Sequence, residues 1–139
     1  MPLFEWVEDY DTGFPPMDAD HREMAAQINR LHELHAHPYS RSEVAALLGK
    51  QAATARGHFS REENFMARSA YPRAEAHWLE HDNLCQDLAE VIEEYSHGGY
   101  ADIEDALENY LKFWLLSHIT SEDFKLADFL LSQEFPHSP

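Results

Sequence analysis

Two short spacings stand out in this chain. His58 and Glu62 are four residues apart, and so are His77 and His81. On a helix, residues four apart share a face, with Cβ atoms about 5–6 Å apart, so each pair can converge on one point. Each pair also interrupts a run of apolar residues at helical spacing. His21 and His118 do the same in two other stretches. Leaving so many imidazoles and carboxylates unpaired in a core costs about 1–3 kcal/mol per unsatisfied group, and more for a charge. A metal cation removes that cost by taking neutral imidazole and ionised carboxylate. The chemistry these residues suggest is metal binding inside a helical body.

The elements that would carry them are legible from periodicity. Residues 1–17 hold Pro2, Gly13, Pro15 and Pro16, which break a regular helix, together with Phe4, Trp6, Tyr10 and Phe14. They read as an N-terminal arm that packs through its aromatics. A first helix is expected over 18–37, with Met17, His21, Met24, Ile28 and Leu31 marking its face, ended by Pro38. A second is expected over 40–69, opened by a Ser40/Glu43 capping box. Its stripe is Val44, Leu47, Leu48, Gln51, Ala55, His58, Glu62 and Phe65. A third, over 72–97, carries His77, His81, Leu84, Leu88, Val91 and Tyr95 and is stopped by His97-Gly98-Gly99. A fourth spans 100–131, with Ile103, Leu107, Tyr110, Leu111, Trp114 and His118 inward. Residues 132–139 form a tail. Nothing alternates long enough to form a sheet. The expectation is one all-α domain, an antiparallel up-down four-helix bundle over residues 1–139.

Composition excludes several functions. The 139 residues carry 26 Asp+Glu against ten Lys+Arg, a net charge of −16. That sign opposes binding to nucleic acid or to an anionic membrane surface. No apolar run reaches the roughly 20 residues of a membrane span, and MPLFEWVEDY lacks the regions of a signal peptide, so a cytoplasmic location is expected. Cys85 is the single cysteine, which excludes an intrachain disulfide or a Cys-rich metal site; it reads as a small buried hydrophobe. His32 lies about 16 Å along the axis from His21 and is too far to share its metal. His35, His37, His97 and His137 read as surface or capping residues. No nucleophilic triad, phosphate loop or dinucleotide fingerprint is present.

Four pieces in order carry a family resemblance: Asp18-Ala19-Asp20-His21, His58-Phe59-Ser60-Arg61-Glu62, His77-Trp78-Leu79-Glu80-His81 and His118-Ile119-Thr120-Ser121-Glu122-Asp123. They follow an arm with Trp6, Tyr10 and Gly13. This pattern resembles the hemerythrin family, and specifically its single-domain bacterial members, over nearly the whole chain. The resemblance implies two iron ions joined by an oxo or hydroxo bridge. One iron would take His77, His81 and His118, the other His21 and His58, with Glu62 and Asp123 bridging. Five imidazoles, two bridging carboxylates and one oxygen bridge then fill all but one place around two six-coordinate irons. The open place is on the iron with fewer imidazoles, where the family binds O2 reversibly as hydroperoxide. Met24, Phe59, Trp114, Leu115 and Ile119 occupy positions that the family uses for the O2 pocket, although the same residues also read as ordinary core. Asp20 is placed to orient His21.

The implied function is O2 carriage or storage. An oxygen-consuming enzyme is a candidate recipient, and a monomer is favoured by the negative charge. The alternatives are a sensor of O2, nitric oxide or iron, and a di-iron peroxidase, iron oxidase or nitric oxide reductase. The Glu-x-x-His pairs typical of ferritin-like oxidases occur only at Glu94/His97 and Glu134/His137, away from the expected core. Geometry adds one expectation. His118 and Asp123 are five apart, about 140° on an ideal helix, so both reach one site only if the helix widens or bends between them.

Overall fold

The computed structural model describes residues 3–34, 41–99, 106–107 and 111–136. Among these, a short 3-10 turn at Glu8–Tyr10 precedes three long helices: α1 (Pro15–Leu34), α2 (Arg41–Ser69) and α3 (Ala74–Ser96). The fourth, α4, comprises an α segment Lys112–His118, a π segment Ile119–Asp123 and an α segment Phe124–Ser132. No strand occurs among the described residues. Expectations for His35, His37, Ser40, Ile103, Tyr110 and His137 lie outside them.

Cross-helix contacts give the topology. His21 meets His58 while Gln27 meets Thr54, so α1 and α2 run in opposite directions. Glu62 meets His77 while Arg41 reaches the carbonyl of Tyr95, so α3 opposes α2. Glu80 meets His118 while Trp114 reaches the carbonyl of Leu84, so α4 opposes α3. The result is an antiparallel four-helix bundle. Local chemistry accounts for its turns. Helix α1 begins at Pro15, three residues before the expected start at 18, because Pro15 and Pro16 sit in its first turn, where proline's preset φ is favourable and its missing N–H costs no hydrogen bond. Gly98, at φ +92°, takes the left-handed conformation just past α3, where a side chain would be strained.

The core is built in two parts. One, around Met24, Ile28, Leu48, Phe59, Leu88, Leu111, Leu115 and Ile119, fills one end of the bundle. The other, around Phe14, Met17, Phe65, Met66, Tyr71, Leu126 and Leu130, fills the opposite end. The metal-ligand candidates lie between them. The arm packs against the body. Phe4 and Phe14 are buried, and Phe4 exchanges two hydrogen bonds with Asn29, its N–H to Oδ1 at 2.7 Å and Nδ2 to its carbonyl at 2.8 Å. Asp18 accepts from the backbone N–H of Thr12 (2.8 Å), the Thr12 hydroxyl (2.7 Å) and the N–H of Gly13 (3.1 Å). One buried carboxylate thus ties the arm to the first turn of α1.

Candidate metal centre

The bundle brings His21, His58, Glu62, His77, His81, His118 and Asp123 together from all four helices. Each is at most 3% exposed. α1 supplies His21, α2 His58 and Glu62, α3 His77 and His81, and α4 His118 and Asp123. The regular helices achieve this by the four-residue spacing. In α4 the π segment starts directly after His118 and ends at Asp123, which supplies the widening that a five-residue spacing requires.

These side chains form two groups that share Glu62 and Asp123. On one side are His77, His81 and His118. His77 Nε2 is 3.0 Å from Glu62 Oε1 and 3.2 Å from Asp123 Oδ1. His81 Nε2 is 3.1 Å from Glu62 Oε1, and His118 Nε2 is 2.9 Å from Asp123 Oδ1. On the other side are His21 and His58, whose Nε2 atoms are 3.1 Å apart. His21 Nε2 is 2.8 Å from Asp123 Oδ2 and 3.6 Å from Glu62 Oε2, and His58 Nε2 contacts Glu62 Oε2 closely. Each carboxylate therefore offers one oxygen to the three-imidazole group and the other to the two-imidazole group. That is the disposition of a bridging carboxylate.

The donor set fits a cation. Both Asp123 oxygens, Glu62 Oε2 and His118 Nε2 are buried without a hydrogen bond of proper geometry, despite close imidazole neighbours. Their lone pairs converge on shared space instead of on each other's protons, which is costly unless a positive charge occupies that space. Titration follows the same logic. Burial disfavours ionised Glu62 and Asp123, yet the surrounding imidazoles win and hold both carboxylates well below their usual range. Burial likewise opposes charge on His58 and His118, but the two carboxylates hold both imidazoles well above theirs. His77 is raised to about 9, with burial again outweighed by Asp123 and Glu62.

Three acids outside this set partner these imidazoles, of which Glu63 and Glu80 were not singled out from the sequence and Asp20 was expected at a different imidazole. His58 Nδ1 donates to Asp20 Oδ2 at 3.0 Å, His81 Nδ1 to Glu63 Oε2 at 2.9 Å, and His118 Nδ1 to Glu80 Oε1 at 2.9 Å. A carboxylate can only accept, so Nδ1 carries a proton, and Nε2 is the nitrogen that faces inward and offers its lone pair when a metal displaces any proton there. In each case the acid comes from the preceding helix. The expectation that Asp20 orients His21 is corrected. Asp20 follows the outer side of α1 toward α2 and meets His58, and Arg61 grips it there. The available signal was adjacency: Asp20, Glu63 and Glu80 each neighbour a candidate ligand in sequence.

Met24, Phe59, Trp114, Leu115 and Ile119 are all buried in one apolar cluster beside this centre. The Phe59 ring stacks on His81 with centroids 4.1 Å apart and meets His118 edge-on at 5.5 Å. The Trp114 indole N–H is committed to the carbonyl of Leu84 at 3.1 Å. Trp6 of the arm stands 6.5 Å from the His21 ring. Cys85 is half-buried against the same cluster, and burial raises its thiol pKa, which suits a packing role.

Residues 12–130 match the family model of the hemerythrin HHE cation binding domain. The chain is 30% identical to a bacteriohemerythrin of Stenotrophomonas maltophilia over 92% of this chain and 82% of that one. It is 28% identical to a bacteriohemerythrin of Methylococcus capsulatus, over 88% and 93% of the two chains. A crystal structure of a hemerythrin point mutant superposes with a TM-score of 0.81 at 26% identity, covering 94% of this chain and 98% of that one. A bundle with this cluster of imidazoles and carboxylates, matched over most of its length by that family's model and members, belongs to the hemerythrin family.

Proposed function

We propose that this protein binds O2 reversibly at a non-haem di-iron centre, as a carrier or store and not as an enzyme. His77, His81 and His118 would hold one iron, His21 and His58 the other, with Glu62 and Asp123 spanning both. The observation that carries this reading is the split of each carboxylate across the two groups, together with the uneven three-to-two division of imidazoles. When bound, a pair of ferrous ions supplies two electrons for O2 and, on the side with fewer imidazoles, a free coordination place.

The chain's own residues do the rest. Asp20, Glu63 and Glu80 hold three imidazoles with the lone pair inward. Met24, Phe59, Leu115 and Ile119 are buried apolar side chains that offer no proton. Trp114 has a donor, but Leu84 already engages it. An apolar wall without proton donors favours release of O2 intact over reduction to water, and this supports the carrier reading over the oxidase one. The excess of acidic residues opposes self-association and favours a monomer, and the proposed recipient of its O2 is an oxygen-consuming enzyme. No helix among the described residues is long and apolar enough to cross a membrane, and we take the cytoplasm as its location.

The test is an anaerobic ferrous titration followed by air and then argon. Two irons per chain, a visible band on oxygenation and its loss under argon support the carrier. Irreversible bleaching with peroxide release or substrate oxidation supports an enzyme. Failure to bind two irons overturns the site.

A further inference from the structure

The three acids that brace the imidazoles are not equivalent. Glu63 and Glu80, about one-third exposed, meet no arginine or lysine among the described residues. Asp20 is gripped by Arg61, whose Nε donates to Oδ2 at 2.8 Å and Nη2 to Oδ1 at 2.7 Å. This is the two-pronged guanidinium–carboxylate geometry, which fixes both orientation and charge. Asp20 Oδ2 also accepts the His58 Nδ1 proton at 3.0 Å. The three residues form one chain across α1 and α2, beside His21 and His58.

The consequence differs between the two groups. The three-imidazole group is backed by two carboxylates with no cation upon them. The two-imidazole group is backed by one carboxylate whose charge is cancelled. His21 Nδ1 is buried with no hydrogen-bond partner, so it adds nothing. A bare carboxylate on Nδ1 makes an imidazole a stronger donor and favours the higher oxidation state of a bound metal. A guanidinium on that carboxylate weakens the effect. We infer that the Asp20–Arg61 fork is a positioning pair that keeps His58 aimed inward while muting the carboxylate behind it, so that the two-imidazole position holds its metal in the lower oxidation state more readily than the other. Arg61 touches no candidate ligand nitrogen and acts through Asp20. This rests on the di-iron reading.

The test is a double-mutant cycle on the full chain, using Arg61→Gln, Asp20→Asn and the pair together. Arg61 is about half exposed, so its replacement leaves the core intact. On iron-loaded protein, spectroelectrochemical titration should show a lower midpoint potential for Arg61→Gln and a higher one for Asp20→Asn. In the Asp20→Asn background, Arg61→Gln should shift the potential much less. Arg61→Lys, which restores charge without the fork, should recover part of the shift. Zinc-loaded protein, which has no redox chemistry, gives a second readout. The NMR resonance of the His58 Nδ1 proton should move downfield in Arg61→Gln, as the freed carboxylate accepts more strongly. An unchanged potential and an unchanged proton resonance in Arg61→Gln overturn the inference. So does an equal shift with and without Asp20, which would reduce Arg61 to a distant charge. The zinc measurement reads the fork independently of iron, and an iron count below two per wild-type chain overturns the di-iron reading alone.

Discussion

His118 Nε2 and Asp123 Oδ1 are 2.9 Å apart, although they stand five positions apart in one helix. The π segment between them adds the extra residue to the turn and returns Asp123 to the face of His118. Such widened turns are uncommon and carry poorer hydrogen bonding. Here the widening brings a second carboxylate to both groups of imidazoles.

Asp123→Asn keeps the size of that side chain and removes its charge. Iron bound per chain should fall from two to one or none, while the helical circular dichroism is unchanged. Two irons retained by this variant, counted after anaerobic loading, would remove Asp123 from the ligand set.

The metal-free protein should have an unusual pH dependence. His77 is raised from 6.5 to about 9, so its stabilising contribution is complete below pH 6.5 and is lost as pH rises through about 9. His58 and His118, also raised, act in the same direction. Glu62 and Asp123 are held low, so their contribution is present above the ordinary carboxylate range and is lost on further acidification. Melting of chelator-treated protein should peak at mildly acidic pH and fall toward pH 9. Flat melting temperatures from pH 5 to 9 would contradict these shifts.

Iron should reverse that alkaline decline, because metal takes the unprotonated imidazole and its affinity rises with pH. A ligand at a hundred times its Kd adds about 2.7 kcal/mol per site. For a chain of this size that raises Tm by roughly 8 °C. Loaded and metal-free protein should therefore diverge most above pH 7, as read by paired calorimetry. A constant gap across pH would argue against imidazole ligation.

Phe59→Ala should separate packing from ligation. Removing a buried phenylalanine costs about 3–5 kcal/mol, visible as a lower denaturant midpoint. The stack on His81 is lost and water gains access. Two irons should still bind, but the ferrous protein should oxidise irreversibly faster in air. Unchanged oxidation would place Phe59 in the core without a part in the pocket.

The arm offers a test remote from the centre. Asp18→Ala deletes three hydrogen bonds to Thr12 and Gly13. Freed donors at a half-buried site cost about 1–3 kcal/mol. Urea unfolding should show that loss with iron content intact, and a loss of iron instead would mean that the arm shapes the centre through Trp6.

Six of the seven candidate ligands were legible because helical periodicity is local. His58/Glu62 and His77/His81 interrupt apolar stripes, and a stripe's inward face follows from spacing alone. Asp123 depended on the family pattern, and its five-residue spacing in turn made the widened helix predictable. The bundle's direction changes followed from short connections between amphipathic helices. Cross-helix pairing was decided only in three dimensions. Asp20 adjoins His21 in sequence yet serves His58, and Glu63 and Glu80 serve imidazoles on the next helix. A residue beside a ligand points off the ligand face, and its partner depends on which helix packs there and at what height. The same holds for the division of each carboxylate's oxygens between two groups and for the Arg61 grip on Asp20. Spacing along one helix is set by backbone geometry, whereas contacts between helices are set by how whole surfaces interlock, and only the packed bundle determines those.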